Sequence, residues 1–186
     1  DSYMKGRIGQ RAYYDRLRPA LDEAFALWAS LTRRAYLPVR QHRCSDADEI
    51  LVSMGTIDDT TEAVVDVLRR DGRPVGSAAV TTFRPFPADD LRRILRKART
   101  VVVVERTDEP AAADNPLTRE TKAALYAAAA EGAMVPRVLS VSAGLGSRDV
   151  GAGDLAAIFD WAAIHGERDR DYAVVGIRHP LALAHD

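Results

Sequence analysis

Residues Thr100–Glu105 read TVVVVE, four consecutive valines closed by a carboxylate. Four β-branched residues in a row leave no polar face, so a strand built from them is covered on both sides, as in the middle of a parallel sheet. The flanking sequence supports this. Upstream, residues 49–54 (EILVSM) form an apolar run that stops at Gly55, and residues 74–83 (PVGSAAVTTF) form another. Between them lies a helix with Ala63, Val64, Val67 and Leu68 as its expected inward stripe. Asp58 or Asp59 caps it, Asp59 and Glu62 have capping-box spacing, and Gly72 stops it. Pro87 suits the first position of the next helix, which turns Leu91, Ile94 and Leu95 inward. Asp89 and Asp90 lie at its start and Arg96 and Lys97 at its end. Downstream, Asn115-Pro116 opens a helix through Leu117, Ala124 and Leu125 to about Gly132. A strand over residues 137–143 follows, then a helix with Leu155, Ile158, Phe159 and Ala162 inside, and a fifth strand over 171–177. Strand–helix alternation at this spacing predicts right-handed crossovers and a parallel sheet clothed in helices, an α/β fold.

The first 45 residues differ. Leu17, Leu21, Phe25, Trp28 and Leu31 recur at three- and four-residue steps, with Pro19 in the first turn, which predicts a helical arm covering the neighbouring domain. The segment RAYLPVRQHR after it has short β character, and Pro38 confines it to an edge. The expected organisation is therefore an arm with an edge strand over 1–45 and an α/β body over 46–186.

Composition bounds the function. The 186 residues are 47% hydrophobic and 28% charged with a formal net charge of −1, enough apolar material for one core. Near neutrality argues against an electrostatic grip on nucleic acid or anionic lipid. No apolar run approaches the roughly 20 residues that span a bilayer. Cys44 is the single cysteine of the chain, which excludes an intrachain disulfide, a Cys-rich zinc site and an iron–sulfur cluster held within it. A reducing cytoplasm is the expected location.

Ligands of an open parallel sheet sit beyond the carboxyl ends of its strands, where the strand order reverses. The residues placed there by the reading above are Gly55, Asp58, Arg84, Arg106, Gly144, Gly146 and Arg148. Gly144-Leu145-Gly146 follows a strand as the start of a dinucleotide fingerprint does. The third glycine's place, however, is taken by Asp149, whose carboxylate repels phosphate; a tight turn is the plainer reading. Arg84 and Arg106 lie just past strands, where they suit either an anionic ligand or an ion-pair network bracing loops or a domain interface. His42, His165, His179 and His185 lack metal spacing and read as surface or interface groups. Cys44 stands beside His42 and Arg43, which raises a small thiol hydrolase as one hypothesis, but no catalytic signature surrounds it. No nucleophile elbow encloses Ser140 or Ser142, and there is no Walker A loop. These residues assign no catalytic group, metal ligand or cofactor site; a stand-alone α/β module binding a nucleotide or coenzyme A remains an alternative.

Four ordered motifs carry a resemblance. They are Met54-Gly55-Thr56, Arg84-Pro85-Phe86, Arg106-Thr107-Asp108-Glu109-Pro110 and Gly144-Leu145-Gly146-Ser147, preceded by Tyr13-Tyr14-Asp15 and by Leu31–Arg34. In this order the chain resembles the second core domain of the pyruvate:ferredoxin (flavodoxin) oxidoreductases, the thiamine-dependent 2-oxoacid:ferredoxin oxidoreductase family. The resemblance implies a fold like the C-terminal domain of transketolases, a three-layer α/β/α sandwich. Its mostly parallel five-stranded sheet has one antiparallel edge strand, for which residues 34–40 are the candidate. It also implies a parent enzyme that uses thiamine diphosphate, magnesium, iron–sulfur clusters and coenzyme A, passes electrons to ferredoxin or flavodoxin, and works as a homodimer. The chain lacks the Gly-Asp-Gly…Asn magnesium–diphosphate motif and the cysteine sets of the clusters, so the part it implies here is architectural, in contact with other domains of that enzyme. It further implies that the native polypeptide continues beyond both ends of this sequence. The closing RHPLAL departs from the acidic step expected of the family there.

Overall fold

The structure is a computed structural model that describes residues 1–164, 171–180 and 182–183. Helices α1 (Ser2–Tyr14) and α2 (Leu17–Thr32) lead into β1 (Val39–His42), and the alternating part follows. Its elements are β2 (Glu49–Ser53), α3 (Ile57–Arg70), β3 (Val75–Val80), α4 (Ala88–Leu95), β4 (Thr100–Glu105), α5 (Pro116–Ala130), β5 (Arg137–Ser142), α6 (Ala152–Ala163) and β6 (Tyr172–Val174). They form one sheet in the order β1-β3-β2-β4-β5-β6. All neighbours are parallel except β1, which runs antiparallel to β3 with Val39 opposite Val80. The sheet thus has six strands rather than the five that the resemblance implied, because three residues of β6 add to the far edge beyond β5. The parallel strands reverse their order between β2 and β4, so the crevice for ligands lies above those two strands and β5.

The valines of β4 divide the core as their alternation requires. Val102 and Val104 face α3 and α6, packing with Leu51, Val65, Leu139 and Phe159, while Val101 and Val103 face α4 and α5 with Ile50, Leu91, Leu95 and Leu117. All four valines are at most 1% exposed, which is what burial on both faces means. Gly76 is dictated by a neighbour. A Cβ there would lie 2.8 Å from the Arg43 carbonyl oxygen, so only glycine lets the β1–β2 loop cross β3.

Three local expectations are corrected. The buried stripe of α3 is Ile57, Thr61, Val64 and Val65, whereas Ala63 and Val67 face solvent. The helix begins at Ile57 after Thr56, two or three residues earlier than an Asp58 or Asp59 cap would place it, and adds Ile57 to the inward face. The edge strand starts at Val39, not at residue 34, because Pro38 has no N–H to donate; its carbonyl instead accepts from Thr81 and Thr82. Pro87 precedes α4 instead of opening it.

The arm also departs from expectation. Neither α1 nor α2 contains a buried residue. Only Leu21, Phe25 and Ala29 are half-buried among the apolar residues of α2, while Trp28 and Leu31 are 48% and 74% exposed. The arm is tethered rather than packed. Arg18 donates to Asp90 at 2.6 Å, and the rings of Phe25 and Trp28 lie 6.2 and 6.4 Å from that of Tyr36.

Truncation should separate these two regimes. Phe159→Ala, at a fully buried site, should cost about 3–5 kcal/mol in urea unfolding. Trp28→Ala should cost less than about 1 kcal/mol; a comparable loss at both would mean that the arm belongs to the core.

Candidate functional site at the carboxyl rim of the sheet

The carboxyl ends of β2, β3, β4 and β5 feed directly into α3, α4, α5 and α6, so four helix N-termini crowd one rim. Each presents unpaired N–H groups and a partial positive charge, the feature by which α/β proteins hold phosphates. Carboxylates of the chain itself stand at all four, 7–9% exposed: Glu105 at α5 and Asp154 on α6 accept from N–H groups of the helix start, whereas Asp58 and Asp90 lie in the first turns of α3 and α4 and bond to Ser53 and to Arg18 and Arg93.

Glu105 makes the fullest set of contacts. Its Oε1 accepts from Leu117 N–H at 2.6 Å, and Oε2 accepts from Thr118 N–H at 3.0 Å and from the Thr118 hydroxyl at 2.8 Å. The Thr118 and Ser140 hydroxyls are 3.1 Å apart, joining the cap to β5. Asp154 accepts from Gly151 N–H at 2.9 Å, closing the start of α6. Burial pushes the Asp58 carboxyl above the usual range, although the Ser53 hydroxyl donates to it. At Asp90 burial acts in the same direction, but hydrogen bonds from Arg18 and Arg93 outweigh it and hold the carboxyl low.

Beside Glu105, a second network surrounds Asn115. Its amide nitrogen donates to Ser142 Oγ at 2.9 Å and to the Thr107 carbonyl at 3.2 Å, and its oxygen accepts from Glu109 N–H at 2.9 Å. The Tyr172 hydroxyl donates to Asp108 at 2.8 Å. These groups border a cavity of about 310 Å³ lined by Asp108, Glu109, Pro110, Asp114, Asn115 and Tyr172. Glu109 and Asp114 are already paired with Arg119 and Lys122, each at 2.6 Å.

The candidates named from sequence are only partly gathered. Arg106, Gly144 and Arg148 come together: Arg106 Nη2 donates to the Arg148 carbonyl at 2.8 Å, and its side chain crosses Gly144. Gly55 and Asp58 sit on the neighbouring turn after β2, and Gly146 lies in the single 3-10 turn Leu145–Ser147. Arg84 turns away to Glu120 at 2.6 Å and stacks on Phe83. The sequence reading missed Asp154, Asn115 and the Arg18–Asp90 tether. Both Asn115 and Asp154 had left local signals, an Asn-Pro pair at a helix start and capping-box spacing from Gly151 to Asp154; the Arg18–Asp90 contact, 72 positions apart, is one that no local pattern encodes.

The chemistry implied for the parent enzyme finds no fit here. Among the described residues no three His, Cys, Asp or Glu side chains converge as a metal ion requires. Cys44 is 4% exposed, its thiol donates to the Ser77 carbonyl at 3.1 Å, and burial pushes its pKa up to about 11. One such thiol supports neither a cluster nor a nucleophile. His42 is bound to Asp66 at 2.9 Å, and His165 and His185 lie outside the described residues. Among the described residues no helix is long and apolar enough to cross a membrane.

Two measurements check this site. Glu105→Ala strands two backbone donors and a hydroxyl, so it should cost about 3 kcal/mol, whereas Glu109→Ala on the rim should cost under about 1 kcal/mol. Iodoacetamide at pH 7 should leave Cys44 unmodified in the folded chain and label it rapidly after urea unfolding; fast labelling of the folded chain would revive the hydrolase hypothesis.

Comparison with known proteins places this rim in context. Residues 47–155 match the family described as "Pyruvate:ferredoxin oxidoreductase core domain II". The chain is 31% identical over 190 residues to pyruvate synthase subunit PorA of Pyrococcus horikoshii, covering 96% of this chain and 45% of that protein. It is 30% identical over 161 residues to pyruvate-flavodoxin oxidoreductase of Klebsiella pneumoniae, covering 86% of this chain and 13% of that protein. A solved structure described as "Split gene transketolase, inactive beta4 tetramer" aligns with a TM-score of 0.49 and 17% identity over 69% of this chain and 43% of its own. The chain thus spans less than half the length of the pyruvate synthase subunit and of the pyruvate-flavodoxin oxidoreductase that it matches. With more than half of its residues inside the family match, the chain belongs to the pyruvate:ferredoxin oxidoreductase core domain II family.

Proposed function

We propose that this chain is an assembly domain of a thiamine-dependent 2-oxoacid:ferredoxin or flavodoxin oxidoreductase. It supports oxidative decarboxylation to an acyl-coenzyme A and does not hold the reactive centre. The observation that carries this reading is the acidic rim: Glu105 and Asp154 hold the N–H groups that start α5 and α6, and the buried carboxylates Asp58 and Asp90 stand in the first turns of α3 and α4. A diphosphate would have to displace a carboxylate at the first two ends and would face the repulsion of one at the other two.

On this reading residues 1–45 are an arm with an edge strand and residues 46–186 the body, and both meet other domains of the enzyme. The arm favours this, because Tyr3, Met4, Ile8, Leu27 and Leu31 are more than half exposed on two helices that bury nothing of their own. Such helices of 13 and 16 residues are marginal in water and gain stability from a covering surface. Thiamine diphosphate, magnesium, the iron–sulfur clusters and coenzyme A are bound elsewhere in the enzyme, which works as a cytoplasmic homodimer and passes its electrons to ferredoxin or flavodoxin.

The test is calorimetry of this chain with thiamine diphosphate–magnesium, coenzyme A and ADP, alongside an assay of 2-oxoacid-dependent flavodoxin reduction. No binding heat at about millimolar ligand and no turnover are expected. Saturable heat with coenzyme A or ADP would favour the stand-alone nucleotide-binding module instead, and turnover by the chain alone would overturn the assembly reading.

A further inference from the structure

With carboxylates at the helix ends, the remaining cations of the rim deserve separate treatment. Most arginines there are neutralised: Arg40 by Asp59, Arg84 by Glu120, Arg119 by Glu109. Arg106 and Arg148 have no carboxylate partner among the described residues. Arg106 is nonetheless held in place. Its Nη2 donates to the Arg148 carbonyl at 2.8 Å, and its Nε passes over Gly144 so closely that a Cβ there would lie 2.8 Å from it. Gly144 is also at φ 68°, a conformation glycine adopts freely. The turn and the arginine are therefore fitted to each other, and an exposed guanidinium is anchored at one Nη with no carboxylate partner among the described residues.

The position is significant. Arg106 directly follows β4, and Gly144 lies two residues past β5, on the side of the sheet where the parallel strand order reverses between β2 and β4. A planar fork anchored at one Nη keeps further N–H groups for an oxyanion, and the anchor leaves less rotamer freedom to lose on binding. Exposed apolar side chains end the neighbouring strands, Met54 after β2 and Leu145 after β5, at 37% and 41% exposure. An arginine beside exposed apolar residues is the composition of a binding surface. The charge on offer is small, since Asp149 adjoins Arg148 in the chain and Asp108 follows Arg106 by two residues. That suits a monoanion and disfavours a phosphate dianion.

We propose that Arg106, positioned by Gly144, is the receptor for a carboxylate at the β2–β4–β5 rim, presented either by a free small molecule or by an acidic side chain of an adjoining protein segment. The proposal goes beyond the assembly role and stands whether or not that reading holds.

The experiment is titration of the ¹⁵N-labelled chain, following the Arg Nε–H resonances, with sodium acetate, inorganic phosphate and the blocked peptide acetyl-Leu-Glu-Leu-amide. Arg70 and Arg96, both exposed and outside any ion pair among the described residues, serve as internal references. Arg106 should saturate with acetate at a concentration about tenfold lower than either reference, and phosphate should bind no more tightly than acetate. A peptide that binds about tenfold more tightly than acetate identifies a protein side chain as the source, and equal affinity identifies a free carboxylate. Arg106→Lys, which keeps the charge and loses the fork, should weaken acetate binding about tenfold while leaving the rest of the spectrum unchanged. Saturation of Arg106 in step with Arg70 and Arg96, tighter binding of phosphate, or full binding by Arg106→Lys would each overturn the proposal.

Discussion

The interaction on which the rest of this structure depends is the carboxylate of Glu105 at the start of α5. The strand that ends in Glu105 is buried from Val101 onward, and the helix that accepts its charge packs directly against it. Three donors converge on one carboxylate, so the β4–α5 connection is fixed in angle and depth despite the intervening loop. The Thr118 hydroxyl carries the constraint on to Ser140 of β5. Strand, helix and next strand are thereby set against one another by polar contacts at the rim as well as by apolar packing below. A buried carboxylate is tolerated there because its charge is met by N–H groups and a helix dipole.

Carboxylates at the other helix starts have a functional consequence. An α/β sheet of this order offers a row of anion sites by default, and proteins that bind nucleotides leave at least one of them open. This chain caps two of them with its own carboxylates, Glu105 and Asp154, and buries Asp58 and Asp90 in the first turns of the other two. Carboxylates of the chain itself thus stand where ligand charge would, on one packed block. Recognition is then left to what lies outside the rim carboxylates: the exposed apolar arm and the anchored guanidinium of Arg106. A block of this kind suits a chain whose family relatives are more than twice its length or are single chains many times longer.

Much of the fold was legible from residue type because burial on both faces writes itself into the sequence. The valine run of β4, the apolar runs of β2 and β5 and the Asn-Pro start of α5 led directly to the elements observed. Where the reading slipped, the cause was local and physical. On α3 the buried face carries Val65 where Val67 was expected, since a helical stripe of small apolar residues is ambiguous by about one position. At the edge strand the missing N–H of Pro38 set the boundary. For the arm, the apolar stripe of α2 was read correctly as a stripe, but its burial was inferred from nothing in the chain, and most of it faces solvent. At the rim, Arg106, Gly144 and Arg148 come together and Gly55 and Asp58 follow β2, while Arg84 belongs to an ion pair on the α5 side.

By itself the sequence determined the fold class, the order of elements and the absence of a cysteine set able to hold a cluster, because these follow from periodicity, turn residues and composition. Only the tertiary structure decided that Glu105 meets the start of α5, that Arg106 has no carboxylate partner among the described residues, and that the apolar face of the arm is left uncovered. Those outcomes depend on groups far apart in the chain. Arg18 finds Asp90 across 72 positions and Arg106 finds the Arg148 carbonyl across 42, and pairings at such separation are set by the packing of the sheet and are not encoded in any local pattern.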